Sequence, residues 1–410
     1  MTRELDHAPR LERDRVTVAA YATLATFGWF IYTLGPTVPL LRAEQDTSRT
    51  VASMHNVAFA VGAVVAGLAA TRILQRTGRD GGIRLGVGLL AAGATLLVTG
   101  SLPDGGAIAV TLGAAFVAGV GGALTVNAAT ATLSDRHVAS GAAAVTEGNA
   151  FAATVGLIAP LAVGAATALA LTWRGATALL VPLAATVWIL TRRAGDADAF
   201  AATAPPEDGD DHGDALPASY WLIWIALIAC IMVETGFVTW TPDLLGDRIG
   251  LGAGAASATI TAFLAGMAAG RFTIARLSLQ LPAVALFAGS LLLAVGGWAM
   301  MWTAQVPLVA LAGLVVAGLG AAGHFPLGSV LLIHAARGQA DRALGAMAVG
   351  LGSAAGAGPF LLGAVADRTS IYLAFLVIPA CLLIALLTTV LAIRVGALTR
   401  PHPSSSTSQR

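Results

Sequence analysis

Hydrophobic residues in this chain come in long runs separated by short polar or charged turns. Twelve runs can be marked, at 16–41, 51–71, 83–102, 107–133, 141–171, 174–191, 219–245, 254–277, 281–303, 306–335, 343–366 and 371–393. About 20 apolar residues suffice for a helix to cross a hydrocarbon core of about 30 Å. Lipid offers no partner to open backbone N–H and C=O groups, so each run is predicted to be a membrane-spanning helix. The longest runs are expected to tilt or to reach beyond the bilayer. The first follows about fifteen polar residues, contains Pro36 and Pro39 and has no small-residue cleavage site, so it reads as a membrane helix and not as a cleaved signal.

The pattern repeats at about half the chain length. Ala118-Gly119-x-Gly121 returns as Ala317-Gly318-x-Gly320, and Pro160-x-x-x-Gly164-Ala165 as Pro359-x-x-x-Gly363-Ala364, both at an offset of 199. Gly62 and Arg72 match Gly266 and Arg276 at an offset of 204, and Pro39 matches Pro242 at 203. A duplicated six-span unit is a common plan of secondary transporters, with the substrate path between the halves. The predicted fold class is an all-α polytopic membrane protein, twelve helices in two pseudo-symmetric six-helix bundles. The predicted segments are an N-terminal tail (1–15), a first bundle (16–191), an acidic linker (192–218), a second bundle (219–393) and a C-terminal tail (394–410).

Composition agrees. The chain is 57% hydrophobic and 11% charged, where soluble domains carry about 25% charged residues. It contains no lysine, which excludes a lysine-bearing P-loop, and its net charge of +1 argues against a nucleic-acid partner. With both termini cytoplasmic, 18 of the 23 basic residues fall on the cytoplasmic side, the asymmetry expected for a multi-pass protein of the cell membrane. The linker and the Ser-rich tail Pro401–Arg410 cannot build a core and read as solvated segments. Cys230 and Cys381 lie inside spans and read as inert core thiols rather than a disulfide.

Polarity divides the spans. The third, ninth and twelfth are almost purely apolar, whereas the second, fourth, fifth, seventh and tenth carry His55, Asn127, Glu147, Glu234 and His324. Groups of the second kind must face a cavity or another helix. Glu234 and Glu147 are read as the acids at membrane depth, Glu147 nearer the cytoplasmic end and close to Asn149. An acid in an apolar site can load and release a proton near neutral pH; the alternative is a hydrogen-bonded packing residue. His324, before Phe325-Pro326, is a candidate substrate or proton contact with a structural hydrogen bond as its alternative. His55 and Asn56 are expected at the outer mouth of span two in an interfacial role. Trp29, Tyr32 and Trp240 offer aromatic faces to a sugar ring or a flat hydrophobic solute, or else pack as ordinary core. Gly318-x-Gly320-x-x-Gly323 matches a dinucleotide fingerprint but has no strand before it, and its glycines are read as helix-packing positions. No catalytic constellation, metal-ligand spacing or cofactor motif is present in the sequence, so no enzyme activity is expected.

The twelve spans, the two repeats, the acidic central loop and the basic loop after span two resemble the major facilitator superfamily. That family's loop reads Gly-x-x-x-Asp-Arg-x-Gly-Arg-Arg/Lys; here it is Thr71-x-x-x-Gln75-Arg76-Thr77-Gly78-Arg79-Asp80. The Arg-x-Gly-Arg core is kept, and the acid of the family's usual charge lock is replaced. The resemblance implies a gating role for Arg76, Gly78 and Arg79, with Arg271 at the inner end of span eight grouped with them. It also implies a cavity lined by spans 1, 4, 7 and 10, with 3, 6, 9 and 12 toward lipid. Spans seven and eight resemble fucose permease-like porters through Glu234, Trp240, Gly266-Met267 and Gly270-Arg271. The acids those porters carry in spans one and four are absent, Asn127 being the main polar group. Gly156-x-x-x-Pro160-x-x-x-Gly164 is similar in part to the motif of drug–proton antiporters. The expected function is therefore secondary transport of a small organic solute by alternating access, coupled to protons, by a functional monomer in the lipid bilayer. Proton-driven export of hydrophobic compounds and a non-transporting membrane sensor are the alternatives.

Overall fold

A computed structural model describes residues 13–101, 108–137, 140–195, 215–337 and 339–395. Most of the acidic linker and the Ser-rich tail lie outside the described residues. The helices are α1 (Arg15–Gln45), α2 (Arg49–Gly100), α3 (Ile108–Arg136), α4 (Gly141–Ala168), α5 (Thr172–Ala178), α6 (Leu180–Arg193), α7 (Ala218–Ile249), α8 (Ala253–Ala258), α9 (Ile260–Leu277), α10 (Ala283–Thr303), α11 (Pro307–Ala321), α12 (His324–Ala335), α13 (Ala340–Arg368), α14 (Ile371–Ala374) and α15 (Val377–Arg394). Eleven helical stretches are long and apolar enough to cross a membrane. One of them, α2, is 52 residues long and holds two spans. They meet at Gly78, whose φ of 70° and ψ of 174° reverse the chain in a single residue. A positive φ is open to glycine at little cost, so this one position does the work of a loop. Spans six, eight, ten and twelve are each two helices in line, α5–α6, α8–α9, α11–α12 and α14–α15. The outcome is the expected twelve-span, all-helical bundle in two halves.

The sequence repeat is a packing repeat. A Cβ added to Gly119 would lie 2.0 Å from the Phe59 carbonyl oxygen, and one on Gly318 2.0 Å from that of Phe263. At the partner surface, a Cβ on Gly62 or on Gly266 would lie 2.2 Å from the carbonyl oxygen of Phe116 or Val315. The same backbone-to-backbone crossing is therefore built twice, α2 on α3 and α9 on α11. Small residues permit this approach where lipid supplies no hydrophobic drive for helices to associate. Gly318 belongs to this crossing, and Gly320 packs against the backbone of α10 at Ala294 and Ser290, so both are helix-packing positions.

The described chain begins and ends on one face, called here the face of the termini, where α1 begins with a capped turn. Asp14 accepts from the Thr17 backbone N–H at 2.8 Å and from Arg136 Nε at 2.7 Å. Burial works against the Asp14 carboxylate, but the Thr17 and Arg136 hydrogen bonds outweigh it and hold the carboxyl below its ordinary range. Stability from an acid shifted in this direction is present at neutral pH and is lost as pH falls through the folded value. Arg79 forms an ion pair with Asp135 at the end of α3, and Arg84 pairs with Asp80. The loop's Arg79 thus takes its acid from another span.

Candidate functional site

The two halves meet along three seams. On the first, α1 lies against α7: a Cβ on Gly35 would strike Val238, and Arg42 Nη2 lies 3.1 Å from Asp243 Oδ1. On the second, α2 lies against α13. Arg49 Nε reaches back to Asp243 Oδ2 at 2.6 Å, and its Nη2 is 3.5 Å from Asp247. Asp367 accepts from the backbone N–H groups of Arg49 (2.9 Å) and Thr50 (2.7 Å), so a carboxylate of one half caps a helix of the other. Ser53 Oγ donates to the Pro359 carbonyl at 2.9 Å. On the third, α4 lies against α8 and α9 through Gly164 beside Gly254, and Thr261 Oγ1 donates to the Leu157 carbonyl. These contacts all lie in the part of each span remote from the chain termini. They join the two halves at that end of the bundle.

Glu234 is at the middle of α7, the seventeenth of its 32 residues. Its side chain is half-buried. Tyr32, from the middle of α1 in the other half, is placed in the same way. Gly35 of α1 lies against Val238 of α7, and one turn earlier on each helix are Tyr32 and Glu234. The sequence reading grouped Arg271 with the gating loop; in the structure it is exposed on α9.

The other candidates are placed differently. Glu147, in the second turn of α4, forms a two-point ion pair with Arg13, Nε to Oε1 at 2.6 Å and Nη2 to Oε2 at 3.0 Å. It therefore ties α4 to the start of α1 at the face of the termini, apart from Glu234. Asn127 and Asn149 are exposed, and each side-chain amide donates to the carbonyl four residues earlier. Trp29 and Trp240 are buried, and their indole N–H groups donate to the carbonyls of Ala176 (3.0 Å) and Pro359 (2.9 Å). Both rings pin helices in this conformation. His324 is fully buried at the break between α11 and α12, and neither ring nitrogen has a partner. His55 is not interfacial but fully buried, with Nε2 2.8 Å from Thr111 Oγ1. Cys230 and Cys381 are buried free thiols. Arg76 and Gly78 are exposed at the turn inside α2.

The sequence reading missed the layer that joins the halves. Arg42 and Arg49 entered only as charges in a topology count, and Asp247 and Asp367 not at all. A usable signal was present: arginines flank the turn between spans one and two, and acids flank the outer ends of spans seven and eleven.

Comparison with known proteins places this geometry. The family model described as Major Facilitator Superfamily matches residues 18–281 and 223–410. The chain superposes on a bacterial homolog of the human lysosomal transporter Spinster, in an inward-facing and occupied conformation. The TM-score is 0.70 at 14% identity, covering 96% of this chain and 100% of that one. For the inward-open E. coli xylose transporter XylE the TM-score is 0.70 at 15% identity, covering 95% and 97%. For the E. coli fucose:proton symporter FucP it is 0.60 at 17% identity, covering 92% and 97%. A search of curated protein sequences finds no match. Two crossings built from one repeat, two helical halves joined along three seams and a family match over nearly the whole described length have one reading: the chain belongs to the major facilitator superfamily and is built as a secondary transporter.

Proposed function

We propose that this transporter carries a small organic solute in exchange for the energy of a proton gradient, with Glu234 as the proton site. One observation carries the reading. Glu234 is the acid at mid-span, and it is half-buried with no ion pair or hydrogen bond to a described residue. Ion pairs hold the acids at the span ends instead, as at Glu147 and Asp243. An intramembrane acid left unpaired can exchange a proton when water reaches it, which is what a carrier needs to load and release a proton.

The expected result for Glu234→Gln, which mimics the protonated form in shape, is loss of pH-driven accumulation with substrate binding and counterflow retained. The substrate for this assay comes from a thermal-shift screen of the purified protein against sugars, organic acids and lipophilic antibiotics. Full pH-driven accumulation by the variant in proteoliposomes would remove Glu234 as the coupling group and move the role to Glu147.

In this proposal the face of the termini is cytoplasmic, the closed layer is extracytoplasmic, and the structure is the inward-facing state of a carrier in the cell membrane that works as a monomer. The arginine bias supports this orientation. Reporter domains fused after Arg193 and after Arg400 are both expected in the cytoplasm. An extracytoplasmic reporter at either point would invert or break the twelve-span arrangement.

A further inference from the structure

Four side chains from three spans form one stack at the end of the second half remote from the termini. Trp298 and Trp302, one turn apart near the end of α10, stack with ring centroids 5.2 Å apart and planes at 20°. Tyr372, in the first turn of α14, lies on Trp302 at 4.3 Å and 8°. The guanidinium of Arg248, in the last turn of α7, continues the stack, with its Cζ 4.4 Å from the Tyr372 ring centroid. Neither Trp302 nor Arg248 leaves room for the other on its own side, so the two cover opposite faces of the Tyr372 ring. The tryptophans are fixed in place. Trp298 Nε1 donates to the Phe375 carbonyl at 3.0 Å, and Trp302 Nε1 to the Tyr372 carbonyl at 2.8 Å.

The stack ends in a cation without an acid. Arg248 is half-buried, its Nε is buried with no partner, and it has no ion pair or hydrogen bond to a described residue. Its neighbour Asp247 turns instead to Arg49 of the other half at 3.5 Å. Arg42 and Arg49, at the same end, are both paired with Asp243. An aromatic face offsets part of a guanidinium's charge, but it offers no oxygen to the N–H pairs that fit a phosphate or carboxylate.

The first half shows the same device completed. The offset of 199 that relates Gly119 to Gly318 also relates Trp173 to Tyr372. Arg174 Cζ lies 4.8 Å from the Trp173 ring centroid, and Glu44 closes its fork, with Nη1 to Oε1 at 3.0 Å and Nη2 to Oε2 at 2.8 Å. One half gives its ring-bound arginine a carboxylate; the other keeps the arginine on its ring and supplies no acid among the described residues.

The surroundings say where the missing anion comes from. The stack is carried by spans nine and twelve, which are almost purely apolar and can face lipid. Leu373 and Leu376 of α14 and Leu308 of α11 are exposed beside it. Trp and Tyr gather where the bilayer meets its headgroups, and Arg248 continues the stack at the very end of its span. A phosphodiester is the anion found at that level.

We propose that Arg248, held on its aromatic stack, binds the phosphate of one anionic glycerophospholipid, such as phosphatidylglycerol, with an acyl chain along Leu373 and Leu376. The inference goes beyond the transport reading and does not depend on its solute or its proton. A net negative headgroup neutralises Arg248, whereas a choline headgroup would add a second unpaired cation beside it.

The test uses the purified full chain in non-ionic detergent and native mass spectrometry, with phosphatidylglycerol and phosphatidylcholine of identical acyl chains. The first phosphatidylglycerol should bind about fivefold more tightly than the first phosphatidylcholine, the worth of one basic residue to an anionic lipid. Arg248→Gln should abolish this preference. Arg248→Lys keeps the charge but not the planar fork, so it should lose at least half of the preference; this variant decides should Arg248→Gln fail to fold. Arg276→Gln, which removes an exposed arginine near the opposite end of the bundle, should leave the preference unchanged. Equal binding of the two lipids by the wild type, a preference kept intact in both Arg248 variants, or an equal loss in Arg276→Gln overturns the proposal. So does a rise in melting temperature with glycerol 3-phosphate equal to that with phosphatidylglycerol, which would make this a site for a free phosphate ester and not for a lipid.

Discussion

Replacing Asp243 with alanine is expected to open the face remote from the chain termini. This carboxylate takes Arg42 with one oxygen and Arg49 with the other, and it is the point where both arginines of one half are held by the other half. Removing one partner of a fully buried ion pair costs about 3–5 kcal/mol, because the remaining charge stays desolvated and alone. The two arginine side chains are 26% and 18% exposed, so water recovers part of that cost and about 2 kcal/mol is the reasonable scale. At about 1.4 kcal/mol per decade, the closed-to-open ratio falls roughly 30-fold. Ser53 reports on this directly, since it is fully buried and its hydroxyl bonds to the Pro359 carbonyl across the seam. With both native cysteines replaced by serine, a Ser53→Cys probe should react at least tenfold faster with a membrane-impermeant maleimide when Asp243→Ala is added. Unchanged labelling would show that the packing of α2 on α13 closes this face without help from the ions.

The second large effect is expected at the repeated crossings. An alanine at Gly318 or at Gly119 would set its Cβ 2.0 Å from a backbone carbonyl oxygen of the facing helix. Backbone cannot turn aside as a side chain can, so the two helices must separate along their length. Overpacking of this kind typically costs about 1–3 kcal/mol and more where the neighbour is rigid. The melting temperature of either variant should fall by several degrees, with a matching loss of folded yield. Gly289 is the control: it is exposed on α10 with nothing within 4 Å of an added Cβ. Gly289→Ala should be neutral or mildly stabilising through helix propensity. A Gly318→Ala protein as stable as the control would mean that the crossing is looser than the coordinates show.

The spans and their duplication were legible in the sequence because the bilayer imposes one length and one polarity on every crossing, leaving little for tertiary context to alter. The glycines were legible for a related reason: a helix pair can meet backbone to backbone where side chains are absent, and both copies of the repeat carry the mark. Glu234 and Tyr32 were legible because a polar group on an otherwise apolar span must find water or a partner. The rest depended on distance through space. The pairing of Glu147 with Arg13 joins residues 134 apart, and that of Arg42 with Asp243 joins residues 201 apart. Nothing local to either residue encodes such a meeting. Trp29 and Trp240 have the composition of a ligand face, but a carbonyl from another helix occupies each indole N–H.

The closing layer has a handedness of charge. In the joint built on Asp243, Asp247 and Asp367, every cation comes from the first half and every acid from the second. When the halves part there, they do so as the plates of a charged capacitor, and the field between them opposes the opening. Mobile ions fill such a gap and shorten its range to about 8 Å at 0.15 M. The mouth of this carrier is thus a spring whose stiffness is set by the surrounding electrolyte, slack in brine and taut in fresh water.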